Sequence, residues 1–104
     1  MLTADINAAY ELIGRGALGD AEAICQRALA ASRGRDPQAW TTLGVVLREQ
    51  QRERESEAAY RQAILLAPTS VAAHHNLGAL LSQLERGELT VDEVVRQLRR
   101  EDKK

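Results

Sequence analysis

The sequence predicts an all-α protein, and three observations carry that expectation. Ala, Leu, Arg, Gln and Glu dominate, while Phe is absent and aromatic residues make up 3%; the abundant residues are the strong helix formers. No stretch alternates β-branched with polar residues as a half-buried strand would. The chain also echoes itself. Trp40-Thr41-Thr42-Leu43-Gly44-Val45-Val46-Leu47 returns as His74-His75-Asn76-Leu77-Gly78-Ala79-Leu80-Leu81, with Leu-Gly at the same place in both. Gln26-Arg27-Ala28-Leu29 matches Gln62-Ala63-Ile64 at a shift one longer, the extra residue fitting the Arg33-Gly34-Arg35 turn.

Three units of about 34 residues, 2–35, 36–69 and 70–104, therefore fill one domain, and each divides into two helices. The first unit predicts helices near Thr3–Ile13 and Gly19–Ser32, with Thr3 as N-cap and Gly14 and Gly16 breaking the first. The second opens on Asp36-Pro37, a capping residue followed by proline at the first helical position. Its helices run near Pro37–Gln51 and Arg54–Ala67, and Pro68 ends the pair. The third opens at Thr69 or Ser70 and runs to about Glu85, with Gly87 as its stop. Thr90-Val91-Asp92-Glu93 reads as a capping box, and a last helix is expected near Val91–Glu101. Its apolar stripe is Val91, Val94, Val95 and Leu98. Asp92 and Glu93 at its start and Arg96, Arg99 and Arg100 at its end suit the helix dipole. It is expected to act as a polar-faced cap, so that the chain looks complete.

Composition excludes several functions. The formal net charge is −1, from 14 basic and 15 acidic residues, which gives no electrostatic reason to bind nucleic acid or anionic lipid. One cysteine excludes an internal disulfide and any multi-thiolate metal site. The start has no basic region followed by an apolar stretch. The longest uncharged run, Ile64 to Leu84, carries Pro68, Thr69, Ser70, His74, His75, Asn76 and Gln83 and is too polar to span a membrane. The expected setting is soluble and cytoplasmic.

The second unit resembles the tetratricopeptide repeat, a helix-turn-helix of about 34 residues. It carries Trp40, Leu43, Gly44, Tyr60, Ala63 and Pro68 at that family's positions, with Leu47 in place of its Tyr and Ser56 in place of its Ala. The third unit keeps Leu77, Gly78 and Leu81, with His74 in place of the tryptophan. The first has Ala8-Ala9, Leu12, Ala21, Cys25 and Ala28. The resemblance covers nearly the whole chain and implies a right-handed α-solenoid of six helices. Small residues at Ala9, Ala21, Ala28, Gly44, Ala63 and Gly78 are expected to let paired helices approach closely. Gly44→Leu or Gly78→Leu should then cost at least about 1–3 kcal/mol by overpacking, and unchanged thermal unfolding would count against this register.

Local motifs suggesting chemistry have plainer readings. Gly14-Arg15-Gly16-Ala17-Leu18-Gly19 fits the G-x-G-x-x-G string of dinucleotide sites, but it follows an expected helix where that site requires a strand, so it reads as a glycine-rich turn. His74 and His75 are neighbours about 100° apart on a helix, with no third ligand at a fitting spacing; no metal is expected. By resemblance His74 is packed between helices and His75 faces the groove. Cys25 has no base nearby and reads as a small buried hydrophobe. The run from Arg48 to Glu55 mixes signs and reads as a solvated turn and helix face. No catalytic constellation or cofactor motif is found.

The resemblance further implies a concave surface lined by the first helix of each unit. On this chain the lining is Asn7, Tyr10, Gln38, Thr41, Thr42, Val45, Arg48, Glu49, His75, Asn76, Ala79, Ser82 and Gln83. Asn7, Thr42 and Asn76 fall at equivalent positions, resembling the asparagine ladder in the repeats of O-linked N-acetylglucosamine transferases, with Thr42 as a break in it. Chaperone-binding members of the family grip a C-terminal carboxylate with two Lys, two Asn and one Arg. The matching positions here are Ile6, Tyr10, Thr42, Ala72 and Asn76, so no such clamp is expected. The expected role is a monomeric, non-enzymatic module binding another protein or peptide, with Tyr10, His75 and Asn76 as leading contacts. The alternatives are an accessory or substrate-presenting arm acting in trans for a modifying enzyme, and a self-associating scaffold.

Overall fold

In a computed structural model, described for residues 2–85 with side-chain surroundings for residues 6–83, the described residues form helices joined by short turns. The described residues form five helices, α1 (Leu2–Gly14), α2 (Leu18–Ser32), α3 (Pro37–Glu49), α4 (Glu53–Leu66) and α5 (Val71–Glu85). The expected helix near Val91–Glu101 lies outside the described residues.

The signals at the helix ends act largely as the residues dictate. Asp36 accepts a hydrogen bond from the Gln38 amide at 3.0 Å, with Pro37 at the first helical position. Ser70, its counterpart in the next unit, accepts from the Ala73 amide at 3.2 Å. α1 already begins at Leu2, so Thr3 lies inside the helix and not at the expected N-cap position. Gly14 is the last residue of α1, and Gly16 takes φ +79°, closing the turn with amide bonds from Gly16 to Ile13 and from Ala17 to Leu12. The turn between α3 and α4 repeats this pattern one unit later, with bonds from Gln51 to Arg48 and from Arg52 to Leu47. There Gln51 holds the left-handed conformation at φ +62°, which explains why α3 stops before the expected Gln51. A third left-handed turn, Arg33-Gly34, ends α2, with Gly34 donating to the Leu29 carbonyl at 2.8 Å.

Each helix packs on the next, and α3 also touches α1 and α5. Connections this short reverse the chain, so consecutive helices form hairpins. The core runs through Ile6 and Ala9 of α1, Ala21, Cys25, Ala28 and Leu29 of α2, Ala39, Leu43, Val46 and Leu47 of α3, and Ala59 of α4. Close approach is tightest at Gly44. A Cβ there would collide with the ring of the fully buried Tyr60, whose Cζ stands 2.9 Å from that point. Ser56, also buried, ties the same pair by donating to the Gly44 carbonyl at 2.6 Å.

Two expectations for the third unit fail among the described residues. Gly78 is exposed, and nothing lies within 4 Å of where its Cβ would be. The overpacking expected of Gly78→Leu therefore has no described neighbour behind it. His74 is exposed as well, where the resemblance implies burial between helices. Its position is still specific: Nε2 lies 2.8 Å from the Pro68 carbonyl, just as Trp40 Nε1 donates to the Gly34 carbonyl at 2.8 Å. One and the same repeat shift relates the two pairs at both ends.

Candidate functional site

The expected lining residues divide into three groups. Tyr10, Gln38 and Thr41 come together in a cavity of about 290 Å³, whose wall is completed by Pro37, Ala67, Ser70 and Ala72. It therefore spans α1, α3, the α4–α5 turn and α5. Tyr10 is 44% exposed and is the largest side chain on it. None of these seven residues is charged. Two of their hydroxyls are engaged, since Thr41 donates to the Pro37 carbonyl at 2.9 Å and Ser70 caps α5. The cavity thus offers an aromatic ring, aliphatic surface and the Gln38 amide, which donates and accepts.

A second group does not line the cavity. Asn7, Glu49, His75 and Ser82 are exposed, and Val45, Arg48, Asn76, Ala79 and Gln83 are half-buried. Thr42 stands alone as fully buried, its hydroxyl donating to the Gln38 carbonyl at 2.9 Å. A threonine that returns its hydrogen bond to its own helix and points into the core has nothing to offer a partner. The series Asn7, Thr42, Asn76 is interrupted at its centre for that reason.

Pro37, Ala67, Ser70 and Ala72 line the cavity without being among the expected lining residues. Ala72 is the counterpart of Gln38 one unit on, and Ser70 that of Asp36, so the repeat itself could have found them. The orphaned phenol of Tyr60 has no such signal. Its oxygen is buried with no hydrogen-bond partner among the described residues. Burial, the largest influence, raises its pKa; Ser56 and Arg48 pull it back, while Tyr10 and Glu49 push it up.

A second concavity, of about 270 Å³, opens between α2 and α4, where Trp40, Leu43 and Leu47 of α3 form part of the wall. Its rim carries a charged clamp. Arg52 bonds Glu22 of α2 at 3.0 Å and Glu55 at 2.6 Å, and also the Gln50 side chain at 2.8 Å. Hydrogen bonding with Glu55 is the main reason its guanidinium is held above, and the Glu55 carboxylate below, their usual ranges. The mixed-sign run is thus more than a solvated face, since one of its arginines crosses to a helix of the preceding unit.

Cys25 is buried, and burial, reinforced by Glu22, pushes its thiol up to about 11. A thiol so disfavoured as thiolate is a poor nucleophile. Among the described residues no three His, Cys, Asp or Glu side chains gather as a metal site, and no helix is long and apolar enough to cross a membrane. The chain matches no protein-family model and no curated protein.

Proposed function

We propose that the chain is a non-enzymatic protein-interaction module of the tetratricopeptide type, binding a partner segment at the cavity between Tyr10, Gln38 and Ala72. The observation that carries this reading is the cavity itself: the first helices of three successive units contribute to one neutral, part-aromatic depression. The repeated bonds, Trp40 to Gly34 and His74 to Pro68, support a repeat architecture. So does the layering, in which α3 touches both α1 and α5 while a groove separates α2 from α4. A stack whose odd helices crowd together while its even helices spread curves toward the odd side, as a solenoid does. In this reading the module works in the cytoplasm as a monomer.

With no charge on the lining, affinity rests on shape and hydrogen bonding rather than steering. The partner segment presents an uncharged side chain to Tyr10, an aromatic anchor of the kind interfaces favour. Quantitative capture from lysate by the wild type, beside Tyr10→Ala and Ala72→Arg variants of unchanged helicity, tests it. A partner retained by the wild type and lost by both variants supports the cavity. A partner held equally by all three moves binding to another face.

A further inference from the structure

The groove between α2 and α4 follows rows of side chains that run past its end. Glu55, Ala59 and Gln62 line it from α4, and their spacing of four and three residues places them on one helical face. The next residue on that row is Leu66, 42% exposed, and Leu65 beside it is 76% exposed. A concavity of about 270 Å³, with the half-buried Trp40 in its wall, therefore continues into an open apolar patch. None of its lining residues is shared with the cavity at Tyr10.

The other end of the groove is acidic. Glu22 and Glu55 line it, and the first turns of α2 and α4 add Asp20 and Glu53 within a turn of them. Against these carboxylates stand Arg52 and Arg54, which leaves an excess of negative charge. Arg52 is already committed: its Nε and Nη2 donate to Glu55, and its Nη1 donates to Glu22 and Gln50. A carboxylate offers about four lone-pair sites, so Glu22 and Glu55 together accept more than one guanidinium and the Gln50 amide supply. This end favours a further cationic donor.

The groove has no open backbone edge, because its walls are helices whose amides and carbonyls bond within the helix. An extended segment would find no ladder to join and would take its own backbone out of water unpaired. A helix arrives with its backbone satisfied. Leu66 lies roughly three turns beyond Glu55, about 16 Å along the axis, a span that a short helix matches.

We propose that this groove docks one amphipathic helix of a partner protein, with leucine-type side chains against Trp40, Leu65 and Leu66 and a lysine or arginine at the Glu22–Glu55 end. The surface is separate from the cavity at Tyr10, and the docking holds whether or not that cavity is used.

Trp40 is the only tryptophan of the chain and lines the groove, so its emission reports occupancy. The probe is a tryptophan-free synthetic helical peptide with leucines a turn apart at one end and lysines at the other. Titration should give a saturable shift of Trp40 emission. Glu55→Lys and Leu66→Asp, both at exposed positions, should each weaken binding at least about tenfold. A peptide of the same composition with leucines and lysines interleaved should also bind at least about tenfold more weakly. Ala72→Arg, at the other cavity, should leave the affinity unchanged. Should one groove variant lose its helicity, the other carries the test. A flat titration overturns the proposal, as does equal binding of the interleaved peptide, which is charge attraction alone. Affinity lost in Ala72→Arg, or kept in the groove variants, places the peptide elsewhere and overturns it too.

Discussion

Helices α3 and α5 carry the same pattern one repeat apart and end up in different surroundings. Leu43-Gly44 and Leu77-Gly78 repeat letter for letter, yet Gly44 is sealed under Tyr60 while Gly78 faces open space among the described residues. Leu47 is buried and Leu81 is not. The same residue at the same register is core in one unit and surface in the other. What decides is whether a second helix lies against the stripe, which the helix's own sequence does not state.

That difference is sharpest at the two glycines. Gly44→Ala forces the Tyr60 ring away from α3 and should lower unfolding free energy by about 1–3 kcal/mol. Gly78→Ala should instead be neutral or raise it by up to about 1 kcal/mol, as alanine is the better helix former and no described residue lies within 4 Å of the added methyl group. Urea denaturation of both variants reads this directly, and equal losses would break the comparison.

Extended to the first unit, the position of Tyr60 is held by Cys25, whose ordinary pKa of 9.0 is pushed up to about 11 in the folded state. The folded chain keeps that proton where the unfolded chain releases it. Cys25 therefore supports folding fully below pH 9.0 and progressively less as the pH rises through about 11. The alkaline loss is on the order of 2 kcal/mol. Cys25→Ala should be less stable at neutral pH from the cavity it leaves. It should also lack the alkaline loss when melting is followed against pH.

The two repeated latches give a smaller contrast. Trp40→Phe removes the bond to the Gly34 carbonyl beside a half-buried ring and should cost about 1 kcal/mol. His74→Phe removes the equivalent bond to Pro68 in an exposed setting and should cost no more than about 0.5 kcal/mol. The turns give the smallest effect. Gln51 holds a left-handed conformation that Gly16 occupies in the first unit. Gln51→Gly should therefore stabilise by up to about 1 kcal/mol, seen as a raised midpoint of thermal unfolding.

The helices are legible in the sequence because their ends are local. Asp36-Pro37, Ser70, Gly16 and Pro68 act through their own backbone neighbours, and the observed boundaries follow them closely. The cavity is legible only in part. Tyr10, Gln38 and Thr41 meet at one cavity, but Thr42, on the same helix as Gln38 and Thr41, turns inward, since adjacent helical residues point about 100° apart. The Arg52 clamp is invisible in the sequence because Glu22 lies in another unit, at a separation where no spacing rule operates. His74 and Gly78 depart from expectation for the reason α5 illustrates: their burial depends on a covering helix, and they carry no sign of one themselves.

The fit of Gly44 beneath Tyr60 has a bearing on how such a chain diverges. The first unit answers the same spatial problem with Ala9 and Cys25, a larger residue on one helix and a smaller one on the other, both fully buried. The two solutions differ by two substitutions, and the order of those substitutions is not free. If position 60 shrinks first, the intermediate has a void and still folds, weakened. If position 44 acquires its methyl group first, the intermediate must push an aromatic ring out of a filled core. Exchange between the two arrangements is therefore easier in one order, through the pair that keeps the glycine and carries the smaller residue opposite it.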